Sequence, residues 1–501
     1  MRQLARWRTL LADKGKNNPV LAGLLALAND SAIYLVGVVM IGLGNLVLVP
    51  LYTRHLTLAE FGVYALVDIT VLILVTVTQL GFGVSYLKWF AELDPSRRGE
   101  LLGSTLMISS LAAALGGGFL MTAVASPLGE QWLQTSNRSF GWTLLPIVVL
   151  ENMQGLLLTD LRAQRRPLAY SVSAVGRLLA IVGASLWFII VQKQGMRGVF
   201  LGKLVGDGIG ILMLAAFCLR ATPLYLSWPL VGPMIRYGLP LIWSGLLWMM
   251  LDASSRYFLG HYSSLEQVGL YGAAIKVSNV FQMLVTQPFS VACGVVMFQI
   301  AKRPHPRLIY GKIIGLSLVL SVIMALVVAL FGPALFALFT SPAYFPALTI
   351  FPLLLLVRVI QTLDYPVSAG VYVSGKTQAL AVIWSVGLGV NVMANLFLTP
   401  RYGGLGASLA WVAGELTIAV LLGLAGQWYY RIPYDKAPFI VVTGLFVLFL
   451  GLKEIVHNNL VFATAGSLAL VLAGVMFTYL SVQKTSMTLR SEQDDHSPSA
   501  F

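Results

Sequence analysis

Along most of its length the chain alternates between apolar runs of about twenty residues and short polar connections, and twenty residues is the helix length that crosses a bilayer's hydrocarbon. The runs lack period-two alternation, so they predict helices rather than barrel strands. Fourteen spans are predicted. The first six cover 30–50, 61–85, 101–126, 141–159, 168–192 and 197–219. The next six cover 236–258, 266–299, 312–340, 347–371, 376–398 and 404–429, and 437–455 and 460–482 form a final pair.

Charge in the connections orients these spans, because Lys and Arg collect in short loops on the cytoplasmic side. With the amino terminus inside, 22 of the 33 basic residues fall in cytoplasmic segments, among them Arg97, Arg98, Arg165, Arg166, Lys302, Arg303, Lys376 and Arg431. Seven fall outside: Arg54, Arg138, Lys193, Arg197, Arg256, Arg401 and Lys453. An error of one helix would scramble that alternation. Both termini are therefore expected in the cytoplasm.

Two windows repeat one pattern. Leu51-Tyr-Thr-Arg-His-Leu-Thr-Leu-Ala-Glu-Phe-Gly-Val-Tyr64 and Phe258-Leu-Gly-His-Tyr-Ser-Ser-Leu-Glu-Gln-Val-Gly-Leu-Tyr271 each lead from a basic, aromatic turn into Gly-aliphatic-Tyr and a long apolar run. Gly62 and Gly269, like Tyr64 and Tyr271, are 207 residues apart. Both windows lie after an odd-numbered span, so the two six-helix bundles run the same way. That is a parallel repeat, an arrangement used by transporters with a site at the repeat interface.

Composition agrees: 57% hydrophobic against 11% charged residues is too little polar surface for a soluble globule of 501 residues. The expected organisation is a basic amino-terminal segment (1–29), an N-lobe (30–220), a C-lobe (221–432), the extra helix pair (433–483) and a disordered tail (484–501). The first segment reads as an interfacial amphipathic helix, with Arg2, Arg6 and Arg8 beside Leu4, Trp7, Leu10 and Leu11. Net charge of +13 is mainly a topology signal that also attracts anionic headgroups. It does not point to nucleic acid.

Enzyme chemistry finds no footing. Cys218 and Cys293 fall in or at the ends of apolar helices as small hydrophobes, and the five histidines are scattered without metal-ligand spacing. Most of the glycines sit inside helices, where they let backbones approach, rather than in phosphate-binding loops. No organic cofactor or metal is expected.

The residues at the two windows resemble a known family. Pro50-Leu-Tyr-Thr-Arg-His-Leu with Glu60-Phe-Gly-Val-Tyr64, and Tyr237-Gly-Leu-Pro-Leu241 followed by Ser255-Arg-Tyr-Phe-Leu-Gly-His261 and Val268-Gly-Leu-Tyr271, resemble the oligosaccharide flippases of bacterial polysaccharide synthesis. These belong to the multidrug/oligosaccharidyl-lipid/polysaccharide (MOP) exporter superfamily. The resemblance implies two MATE-like six-helix bundles around a central cavity, rocking between inward-open and outward-open states. It implies as cargo an undecaprenyl-diphosphate-linked oligosaccharide, moved across the bacterial inner membrane, with a polysaccharide polymerase and a chain-length regulator as partners. The final helix pair would help accommodate the lipid tail.

Four basic residues fall inside spans, where a centrally placed Lys or Arg costs about 2.5–3.5 kcal/mol on insertion scales. They are Arg177, Lys203, Lys276 and Arg358. At 1.5 Å per residue, Arg177, Lys276 and Arg358 lie roughly 14–16 Å deep, near the midplane. Such a cationic lining suits a diphosphate, to which Arg offers a planar fork and Lys a mobile point charge. The competing reading is that each pairs with an acid and holds helices together. Lys203 has Asp207 four residues on, a spacing that closes an i,i+4 pair. Arg358 and Asp364, six apart, face different ways.

The intramembrane acids are Asp68, Glu151, Asp207, Asp364 and Glu415, with Asp252 near a span end. Each is a candidate for H⁺ or Na⁺ coupling or for structural pairing. At the external turns, Tyr52, Arg54, Arg256 and Tyr257 are candidates for a gate that touches sugar, against the interfacial anchoring that Tyr and Arg commonly supply. Pro240, Pro288 and Pro352 are expected to bend helices, and Gly206-Asp-Gly-Ile-Gly210 and Gly387-Leu-Gly389 to add compliance. A multidrug exporter of the same superfamily is the main alternative, though its cationic drugs call for an acidic cavity. A glycan polymerase or ligase would need a large catalytic external loop, and the longest external connection is only 127–140.

Overall fold

The computed structural model describes residues 46–132, 138–218, 224–301 and 305–433, together with the single positions 42, 438, 441 and 444. Every regular element among them is helical. Among the described residues, nine helices are long and apolar enough to cross a membrane, and a bent pair makes a tenth. The predicted span 460–482, the amphipathic amino-terminal segment and the tail lie outside the described residues, as do most of 437–455 and most of 30–50. By contacts the chain divides into Met1–Met249 and Met250–Phe501.

The first unit holds α1 (Leu58–Thr78), α2 (Phe82–Glu92), α3 (Arg98–Ala125), α4 (Leu144–Ala163), α5 (Pro167–Leu186) and α6 (Gly195–Cys218). The repeated window is the start signal of α1. Thr57 accepts from the Glu60 backbone N–H at 3.2 Å while Glu60 accepts from the Thr57 N–H at 2.9 Å, a reciprocal capping box. One predicted span becomes two helices here, because Leu80 and Gly81 are left-handed (φ 50° and 80°). Gly81 is required twice over: its φ disfavours other residues, and a methyl there would overlap the Gly238 backbone.

α7 (Trp228–Tyr262) begins in the first unit and ends in the second. It is bent by 42° between Trp228–Trp243 and Gly245–Tyr262, just beyond Pro240. Proline there removes a backbone hydrogen bond, which is the expected origin of such a bend.

The second unit continues with α8 (Leu265–Phe281), α9 (Gln287–Ile300), α10 (Pro306–Leu330), α11 (Gly332–Phe339), α12 (Phe351–Val367), α13 (Ala369–Val373) and α14 (Gln378–Tyr430). α8 has the same kind of start as α1: Ser264 accepts from the Gln267 N–H at 3.3 Å, and both residues are 207 beyond Thr57 and Glu60. A wide π turn, Gln282–Thr286, joins α8 to α9 directly before Pro288. Pro352, expected to bend a helix, instead occupies the first turn of α12, where its missing N–H costs nothing. The span predicted at 312–340 is interrupted at Phe331, with Pro333 opening α11. α14 is a hairpin of two helices, reversed at Gly403 (φ 53°, ψ −128°), and corresponds to the predicted 376–398 and 404–429.

Candidate intramembrane charge clusters

Close packing positions the first cluster. Gly202, Gly206 and Gly210 form a smooth stripe, one per turn, on α6; a methyl on the first two would overlap Ser185 and Ile181 of α5, and on the third would press the Arg177 side chain at 3.1 Å. The glycines expected to lend compliance are thus a packing face, as in other small-residue membrane contacts. The approach brings Arg177 against the same turn of α6 that carries Asp207.

Arg177 donates from Nε to Asp207 Oδ1 at 2.8 Å and from Nη2 to Glu151 Oε1 at 2.9 Å. The ammonium of Lys203 lies 3.0 Å from that same Glu151 oxygen and 3.4 Å from Asp68 Oδ1. The expected i,i+4 pair of Lys203 with Asp207 is therefore not the contact made, because Arg177 takes the Asp207 carboxylate and Lys203 reaches across to α1 and α4. Asp207 is fully buried, and its Oδ2 has no hydrogen-bond partner among the described residues. Two cations, Arg177 and Lys203, thus face three carboxylates, Asp68, Glu151 and Asp207. With all five ionised, the cluster carries one negative charge.

The second unit is organised differently. Arg358 on α12, 3% exposed, donates to Gln361 Oε1 at 2.8 Å, Asn279 Oδ1 at 2.9 Å and Ser278 Oγ at 3.4 Å. Its guanidinium lies 5.3 Å from the Trp411 ring centroid, within cation–π range. The ligands of this cation are neutral. Gln361 links it onward, donating at 2.6 Å to Glu415 Oε1, which also accepts from Trp411 Nε1 at 3.2 Å. Glu415 Oε2 and Asp364 Oδ1 are buried without hydrogen-bond partners among the described residues. Lys276 is half-buried on α8, two residues before Ser278.

The repeat reaches these clusters. Glu151 and Arg358 are 207 residues apart, as are Gln154 and Gln361. Gln154 donates to the Asp207 carbonyl at 2.9 Å, so in each unit a glutamine of the fourth span binds an acid-bearing position of the sixth. The two glutamines were not among the expected site residues. Polar amides at the repeat offset within apolar runs were the signal that would have found them.

Of the external candidates, Tyr52 is 3% exposed, its ring edge-on to Tyr64 at 5.2 Å and its hydroxyl 3.4 Å from Ser185 Oγ. It belongs to the core of the first unit rather than to a sugar-facing surface. Arg54 is exposed and Tyr257 half-buried. Arg256 is buried and paired with Asp252 at 3.1 Å, one turn earlier on α7.

The many long apolar helices, with charged side chains gathered inside each unit, define a multi-pass membrane protein. Among solved structures, the lipid II flippase MurJ in an inward closed conformation matches with a TM-score of 0.70 at 11% identity, over 92% of this chain and 99% of that one. A multidrug resistance MATE family transporter of the MOP superfamily, inward-facing, matches with a TM-score of 0.63 at 14% identity, over 78% and 93% of the two chains. These likenesses show that the chain shares its fold with both, the MATE-like helical fold expected from the sequence. No curated protein sequence matches. The family model described as polysaccharide biosynthesis protein matches residues 27–295, more than half of the chain, and the protein belongs to that family.

Proposed function

We propose that the protein is a flippase that carries an undecaprenyl-diphosphate-linked oligosaccharide repeat unit across the bacterial inner membrane by alternating access, without covalent chemistry. Family membership supports the polysaccharide pathway, and one observation supports the cargo: the buried Arg358 guanidinium is held by neutral groups, Ser278, Asn279 and Gln361. A diphosphate that replaced Asn279 or Gln361 would exchange a neutral acceptor for an anionic one, and charge-assisted bonds are about twice as strong. Lys276 on the neighbouring helix would add a second positive charge. Arg177 and Lys203, by contrast, are engaged by carboxylates and serve the first unit's internal network in this conformation. Polymerase and chain-length regulator would act on the exported unit.

A second proposal concerns the driving ion. Among the described residues the first cluster gathers three carboxylates around two cations, and Asp207 Oδ2 has no partner there, so a proton or Na⁺ taken up at Asp68, Glu151 or Asp207 would lower its negative charge in the membrane. The same excess favours the alternative of a multidrug/cation antiporter. The two readings separate in a deletion strain. Undecaprenyl-linked oligosaccharide accumulating on the cytoplasmic leaflet, with folded Arg358→Ala or Lys276→Ala failing to restore export, supports the flippase. Unchanged lipid-linked glycan with altered drug sensitivity supports the antiporter.

A further inference from the structure

At the open end of the α14 hairpin the second unit holds a cavity of about 750 Å³ that neither charge cluster uses. The hairpin is zipped at its centre, where Gly387 packs on Ile418 and Gly414 on Asn391, and it parts toward Gln378 and Tyr430. One lip of the cavity is Lys376, Thr377 and Gln378, all exposed. Thr377 precedes the helix, yet its hydroxyl makes no capping bond. The wall below is apolar, with Val382 and Leu424 mostly exposed, and Trp428, 86% exposed, stands at the rim.

These features are matched to an amphipathic anion. Lys376 is the only charged residue among the described residues lining the cavity, so its charge faces no carboxylate there. A hydroxyl and an amide beside it add donors suited to phosphate oxygens. An exposed indole next to exposed aliphatic side chains belongs at the headgroup boundary of a bilayer. Leu424 lies six residues, or about 9 Å, inward of Tyr430. That depth matches a headgroup, glycerol and first methylenes rather than a whole prenyl chain.

We infer that this cavity is a binding site for an anionic phospholipid, with the phosphodiester at Lys376, Thr377 and Gln378 and an acyl chain along Val382 and Leu424. The site is independent of the cargo and of the coupling ion. It gives the second unit a fixed lipid contact that responds to membrane composition.

The test uses the purified full-length protein in phosphatidylcholine vesicles, with brominated phosphatidylglycerol or brominated phosphatidylcholine as quencher. The signal is the emission that wild type has and Trp428→Phe lacks. Half-quenching is expected at about tenfold lower mole fraction of the anionic lipid. Lys376→Glu removes that preference and Lys376→Gln reduces it. Equal quenching by the two lipids, or a preference that survives Lys376→Glu, overturns the site. Displacement of brominated phosphatidylglycerol by polyprenyl phosphate at a far lower mole fraction than unbrominated phosphatidylglycerol requires also overturns it, and assigns the cavity to the prenyl lipid. Glycan export measured on the same variants tests the flippase separately.

Discussion

Gln154 and Gln361, 207 residues apart, each turn a side-chain amide toward an acid-bearing position of the last helix in their repeat, Gln154 to the Asp207 carbonyl and Gln361 to the Glu415 carboxylate. The equivalence ties the short motif that starts α1 and α8 to the polar interior of both units. It also shows divergence inside a conserved frame: at the neighbouring equivalent position the first unit has Glu151 and the second Arg358.

The two amides differ in what they support. Gln361→Leu strips a buried carboxylate of a donor at 2.6 Å and Arg358 of an acceptor at 2.8 Å, whereas Gln154→Leu unmakes one bond to a backbone carbonyl. Losing partners of buried charged groups costs about 1–3 kcal/mol or more, and a neutral bond about 1 kcal/mol. Thermal unfolding of the detergent-solubilised protein should therefore fall clearly further for Gln361→Leu than for Gln154→Leu. Equal shifts would mean that Gln361 does not hold the charged pair.

The break between α1 and α2 makes a similarly sharp comparison. Gly81→Ala places a methyl on a residue with φ of 80° and into the backbone of Gly238, while Gly183, inside α5, has nothing within 4 Å of the same added atom. The first substitution should destabilise by about 1–2 kcal/mol from handedness alone, with the overlap added. Gly183→Ala should be neutral or stabilising by roughly 0.5–1 kcal/mol in helix propensity. Thermal melts of the two variants, read against wild type, check both signs.

Much of the helical layout was legible because the apolar runs have clear ends. The span predicted at 168–192 is the helix from Pro167 through the π turn ending at Val191, and 197–219 is Gly195–Cys218. The caps are legible too, Thr57-x-x-Glu60 as a reciprocal capping box and Ser264-x-x-Gln267 as a one-way serine cap. The interruptions were not. Gly81 breaks its span where Gly238 comes against it, and nothing near residue 81 in sequence announces a partner that distant.

Charge pairing was legible in kind but not in detail. Lys203 and Asp207 have helical spacing, yet Arg177, thirty residues before Asp207, occupies the carboxylate because the α6 glycines bring α5 close. Local spacing proposes a pair. Helix packing decides which cation arrives first.

The charge count of that network gives the last prediction. Among the described residues Lys203→Met leaves one cation of the network, Arg177, with Asp68, Glu151 and Asp207, so an excess of one negative charge becomes two. Lys203, Asp68 and Glu151 are half-buried, so removing the lysine should cost less than the about 3–5 kcal/mol typical of a fully buried ion network. Asp68→Asn in the same chain restores the original excess of one and keeps a polar group at the position. The double variant should regain a large part of the lost thermal stability, while Asp68→Asn alone, which brings cations and carboxylates to parity, should be mild. A double variant no more stable than Lys203→Met would mean that lost packing of the lysine stem, rather than charge, controls the network, and the carboxylate excess could not then serve as the ion site proposed for coupling.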